Sequence, residues 1–73
     1  MSDVREAILD GCRQQYCKVA MVIVRASEQL GNNGDETYEL VGQGIAKLVE
    51  EGRLQAVGDL SQWRHSEVRL PPA

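Results

Sequence analysis

Two cysteines and one histidine are the side chains of this chain best suited to covalent or metal chemistry, and their spacing limits what they can do. Cys12 and Cys17 are separated by four residues, with no second Cys pair and no His at metal-ligand spacing, so no metal site is expected. A disulfide between them would close a loop too small to stabilise much. The opening residues Met-Ser-Asp-Val-Arg-Glu show no basic flank followed by an apolar core, so two reduced, partly buried thiols are expected. His65 stands two residues from Glu67 in a strand-like segment, hence on the same face, where the carboxylate could orient the imidazole. A Cys–His nucleophile would still have to be assembled by the fold from distant segments. Gly31-Asn32-Asn33-Gly34 lacks the preceding strand and the following Lys of a phosphate-cradling loop. The expectation is a non-enzymatic chain with no catalytic residue, cofactor or metal.

The elements that must position these groups come from a short chain. Its 73 residues make one domain, 42% hydrophobic and 26% charged, a composition that folds. So short a chain buries only about 60% of the surface its unfolded form exposes, which leaves little apolar material for a deep pocket. Tyr16, Tyr38 and Trp63 are the sole aromatics, too few for a base-stacking platform. The net charge is −3, the wrong sign for a chain that lives on phosphate backbones. Its distribution is uneven: residues 1–52 carry nine acids against five cations, and residues 53–73 carry three cations against two acids. Any anion-facing surface therefore lies in the C-terminal third. The longest apolar run, Val19–Val24, is far short of the ~18 residues of a membrane span. A cytoplasmic location and no membrane contact are expected.

Helical periodicity recurs three times. The first helix is expected over about 3–13, opened by Asp3 and Glu6 as a capping box, with Val4, Ile8 and Cys12 on one face and Leu9 beside them. The second is expected over about 17–30. Its Val-Ala-Met-Val-Ile-Val run could be a buried strand, but Val19, Val22, Ile23, Ala26 and Leu30 keep helical spacing, and Gly31 supplies a stop. The third is expected over about 36–51, with Asp35 as N-cap and Tyr38, Val41, Ile45, Leu48 and Val49 as its apolar stripe. Gly42 and Gly44 inside it cost about 1 kcal/mol each relative to Ala, which close approach of another helix would offset, the alternative being a recess used by a ligand or partner. From Arg53 the period becomes two. Leu54 and Ala56 oppose Arg53, Gln55 and Val57, and Ser66, Val68 and Leu70 oppose His65, Glu67 and Arg69, so a hairpin is expected over about 53–70. Leu60 and Trp63 suggest a turn in its long link folded onto the sheet.

Three helices followed by a hairpin form the element order of an α+β, winged-helix-like domain, read here with no strand between the first two helices. The segments Glu51-Gly52-Arg53-Leu54, Gly58-Asp59-Leu60, Trp63-Arg64 and Ser66-Glu67-Val68-Arg69-Leu70 resemble the ending of a family of uncharacterised bacterial winged-helix-like domains. Members of that family are of unknown function and are sometimes attached behind a larger domain. The resemblance covers about 20 residues, extends upstream only by pattern, and implies a fold and no chemistry.

In such a fold the third helix would enter the major groove of DNA. From Asp35 to Glu51, however, five acids accompany one Lys, so each phosphate approached would meet repulsion. The outer face of that helix, Glu36, Glu39, Gln43 and Lys47, suits a protein contact instead, with Trp63 of the wing as a further candidate. Trp63 reads first as a cover for the hairpin and a helix end, with the exposed anchor as the alternative, and Arg53 is expected to neutralise Glu50 and Glu51. The function expected is a small interaction module or accessory protein whose partner is an unidentified protein or a second copy of the chain. The alternative is a weak DNA-binding regulator using Arg53, Arg64, His65 and Arg69.

Overall fold

The computed structural model describes residues 2–72, and among them the chain is α+β, with three helices and a three-stranded antiparallel sheet. The elements are α1 (Ser2–Gly11), β1 (Cys17–Lys18), α2 (Val19–Leu30), α3 (Asp35–Glu50), β2 (Gln55–Val57) and β3 (Glu67–Arg69), with a short 3-10 turn at Trp63–His65. The apolar stripes converge on one core. Ile8 of α1, Val19, Val22, Ile23 and Ala26 of α2, Val41, Ile45 and Leu48 of α3, Leu54, and Val68 of β3 are all buried. Each large aliphatic side chain removed from water this way contributes about 1.5–3 kcal/mol. Val19–Val24 is helical, as its spacing predicts, and the alternation after Arg53 also holds, with Leu54 and Val68 inside and Gln55 and Val57 exposed.

The strand between the first two helices corrects the sequence reading. Cys17 and Lys18, expected in α2, are extended and pair with Val68 and Glu67, while β2 pairs with the other edge of β3, giving the order β1-β3-β2. Two residues are too few to display a period, so this pairing is a tertiary event. It delays α2 until Val19, whose N–H donates to Ser66 O at 3.0 Å and so loses none of its bonding at the helix start.

The other boundaries shift by small amounts for local reasons. The first helix stops at Gly11 rather than reaching residue 13, because the Cys12 N–H turns back to Leu9 O, and Arg13 and Arg25 take the last carbonyls through Asp10 O, Cys12 O and Gly11 O. In α3 the N-cap position falls on Gly34, and Asp35 is the first helical residue, where its charge still complements the helix dipole. Asn32 Oδ1 accepts the Gly34 N–H at 2.9 Å and fixes the turn. The two strands of the expected hairpin are three residues each, and the link from Gly58 to Ser66 is ordered by its own bonds. Asp59 Oδ1 accepts both the N–H and the hydroxyl of Ser61, and Ser66 Oγ donates to Gln62 O.

Both interior glycines of α3 have a packing explanation. A Cβ on Gly44 would lie 2.8 Å from Ile8 Cδ1, so α1 approaches α3 closely there, as expected. A Cβ on Gly42 would lie 2.7 Å from Cζ2 of Trp63, so its neighbour is the 3-10 turn of the link and not a helix.

Gly58 has φ +84, and a Cβ there would meet the His65 carbonyl oxygen at 2.5 Å, whereas Gly31 at the α2 C-terminus has φ +77 and open space around it. Gly31→Ala is expected to cost about 1 kcal/mol from the left-handed backbone alone, and Gly58→Ala on the order of 2–4 kcal/mol because backbone must also shift. Chemical denaturation of the two variants checks this ranking; equal losses would contradict it.

Candidate interaction surface

The outward side of α3 is a polar ridge with a shallow groove on each flank. Glu36, Glu39, Gln43 and Lys47 are all exposed, as their wheel positions predict. On the α1 side lies a groove of about 410 Å³ lined by Val4, Arg5, Leu40, Gln43, Gly44 and Lys47. On the other side a groove of about 390 Å³ runs between α3 and the link, with Gly42 and Ala46 facing Leu60 and Trp63. Gln43 borders both. Absence of a side chain at Gly44 deepens the first groove, and the seating of Trp63 on Gly42 shapes the second.

Leu40 is the residue that sequence inspection missed. It is 59% exposed, the largest fractional exposure among the large hydrophobic residues of the described chain. Its signal is an absence from the stripe: Tyr38, Val41, Ile45 and Leu48 follow core spacing, and a leucine beside Glu39 on the polar side does not. One isolated exposed leucine is ordinary on a protein surface. This one borders an apolar groove whose rim carries cations, which is the usual anatomy of a contact site.

Charge on this face is organised by one ion pair. Arg5 of α1 reaches across the groove to Glu51, with Nη2 2.7 Å from Oε1 and Nη1 3.3 Å from Oε2. The guanidinium hydrogen bond holds the Glu51 carboxyl below the usual carboxylate range. Arg5, not Arg53, is thus the direct partner of this acid at the α3 C-terminus, and Arg53 acts on it only through space. The fold brings Arg5 to Glu51 from 46 positions away, which no local reading could supply.

Trp63 is half-buried against the core cluster. It therefore covers the joint between link and α3 while lining the second groove. Tyr38 is likewise half-buried against the core.

The cations of the hairpin segment are scattered in role. Arg53, Arg64 and His65 are exposed, and Arg64 and His65 border a recess of about 270 Å³ with Lys18 and Glu67. Arg69 is committed to the sheet: its Nε donates to Gln55 Oε1 at 2.8 Å, and its guanidinium carbon stands 4.8 Å from the Tyr16 ring centroid. The cysteines sit elsewhere. Cys12 is buried, and Cys17 is half-exposed, with Arg25 Nη1 3.9 Å from its Sγ and its thiol donating to Gln15 O. Among the described residues no cluster of three or more His, Cys, Asp or Glu could hold a metal ion, and no helix is long and apolar enough to cross a membrane. No family model, curated protein or solved structure matches the chain.

Burial pushes the Cys12 thiol up from 9.0 to about 11. Iodoacetamide at pH 8 is therefore expected to label Cys17 alone in the native protein and both thiols after unfolding, read as one and two mass increments. The same shift sets a pH dependence. Its stabilising contribution is whole below pH 9, where both states hold the proton, and is lost as pH rises toward 11, because the unfolded chain ionises first. The thermal midpoint should fall through that window more steeply for the native sequence than for Cys12→Ala; equal slopes would contradict the assignment.

Proposed function

We propose that this chain is a small winged-helix-like, non-enzymatic interaction module that binds a protein through the exposed face of α3 and the adjoining wing. The element order, and a sheet in which the strand after α1 pairs with the last strand, support the winged-helix reading, as do the wing segments that resemble uncharacterised bacterial domains of that kind. The observation that carries the function is Leu40, exposed on an acidic helix between two grooves. A helix meant for DNA would present cations there, and this one presents Glu36, Glu39 and Glu50 around Lys47. The reading places the chain in the cytoplasm, where Cys12 and Cys17 stay reduced.

A photo-crosslinking residue at Gln43 is the direct test, with the same residue at exposed Glu28 of α2 as control. Crosslinking in the native cell should give a discrete protein adduct from position 43 that Glu36→Lys with Glu39→Lys removes, with the fold unchanged because both sites are exposed. DNA affinity of the unmodified chain should be negligible at physiological salt. Micromolar DNA binding would reverse the reading, particularly if lost on Arg53→Gln with Arg64→Gln and accompanied by a salt slope lower by about 0.9 per phosphate contact removed.

A further inference from the structure

The turn between α2 and α3 carries the only asparagines of the chain, Asn32 and Asn33, followed by Gly34. Residues Gly31 to Glu36 are all exposed, and Asn33 and Gly34 stand outside both helices. We propose that Asn33 is a site of non-enzymatic deamidation and that the fold confines this chemistry to it.

The step needs only water and base. The Gly34 amide nitrogen gives its proton to hydroxide and attacks Cγ of Asn33. The N–Cγ bond forms, the Cγ–Nδ2 bond breaks, and Nδ2 takes a proton from water and leaves as ammonia. Water then opens the resulting succinimide at either carbonyl and returns a proton to the Gly34 nitrogen, giving aspartate or isoaspartate. One water enters, one ammonia leaves, and no electron is transferred.

Local structure decides which residue reacts. Glycine puts no side chain beside the attacking nitrogen, and a Cβ built on Gly34 would find only Asn32 Oδ1 near it, at 3.3 Å. The Asn33 carboxamide makes no hydrogen bond among the described residues and is free to turn toward that nitrogen. Asn32 is followed by Asn33 instead of glycine, so its own ring closure is hindered. Its side chain also restrains its neighbour: Asn32 Oδ1 accepts the Gly34 N–H at 2.9 Å, which holds the proton that must leave. Asp10-Gly11 offers a second Xaa-Gly pair able to close the same ring, with loss of water, but the structure pins it. Gly11 is buried at the end of α1, Asp10 O accepts Arg13 Nη1 at 3.0 Å, and Gly11 O accepts Arg25 Nη1 at 3.1 Å. Ring closure needs a backbone rotation that these bonds oppose.

The products differ in what they do to α3. Aspartate at position 33 adds a negative charge just before the helix N-terminus, where the dipole favours it, and extends the acidic end formed by Asp35 and Glu36. Isoaspartate inserts a methylene into the main chain beside Gly34, whose carbonyl accepts the Tyr38 N–H at the start of α3, so that product loosens the first turn.

The test incubates the full chain for days at physiological temperature and mildly alkaline pH, native and in urea. Electron-transfer fragmentation of the tryptic peptide spanning residues 26–47 locates the gain of one mass unit and separates aspartate from isoaspartate. In the native chain the gain should fall on Asn33 and quicken as pH rises, while Asp10 forms isoaspartate only in urea. Asn33→Gln should abolish it. Gly34→Ala should slow it about tenfold or more with the native circular dichroism, since φ of −78° at this position suits alanine. Asn32→Ala should speed it about fivefold, the worth of one net hydrogen bond. An Asn33 that stays intact in the native chain while converting in urea would overturn the inference. So would equal conversion of Asn32, native isomerisation of Asp10 at the rate of Asn33, or a rate unmoved by Asn32→Ala.

Discussion

The double pairing of β3 is the constraint on which the rest of this small structure depends. Val68 is fully buried and lies opposite Cys17 on one side and Ala56 on the other, so a strand of three residues ties the start of α2 to the end of the chain. Two- and three-residue strands have little stability alone. They persist here because the inward side of the sheet, Cys17, Val68 and Ala56, packs onto the same core as the three helical stripes. The bond from Val19 N–H to Ser66 O and that from Leu70 N–H to Arg13 O brace β3 at both ends.

From that anchoring follows the shape of the α3 surface. With β3 held between β1 and β2, and Val57 paired with Glu67, the link from Gly58 to Ser66 leaves and re-enters the sheet at one end. The Asp59–Ser61 bonds and the 3-10 turn carry Trp63 onto Gly42. On the opposite flank the close contact of Ile8 with Gly44 brings α1 near enough for Arg5 to reach Glu51. Two glycines that weaken α3 as an isolated helix thus admit the two neighbours that shape its flanks. That trade of propensity for packing leaves a ridge with grooves in place of a smooth polar cylinder.

Charge is also unevenly distributed over the surface. The acids of α3 face outward around Leu40, while the cations of the C-terminal hairpin are partly consumed within the sheet, as Arg69 is by Tyr16 and Gln55. An exposed pair such as Arg5–Glu51 contributes little to stability. Its two hydrogen bonds hold the Arg5 guanidinium in place at the rim of an apolar groove.

What the sequence by itself determined are the features that repeat along the chain. The stripes of α1, α2 and α3, the change to period two after Arg53, and the outward placement of Glu36, Glu39, Gln43 and Lys47 are all local consequences of side-chain spacing. A period needs several residues to be seen, so β1, with two, was invisible and its residues read as helix. The polar-side leucine at position 40 was present in the sequence, yet its meaning depends on grooves that only packing creates. The partner of Glu51, the neighbour of Gly42 and the split role of Trp63 were likewise decided by tertiary structure. Each joins segments far apart in the chain, and contact between distant segments is a property of the assembled core, on which local propensity is silent.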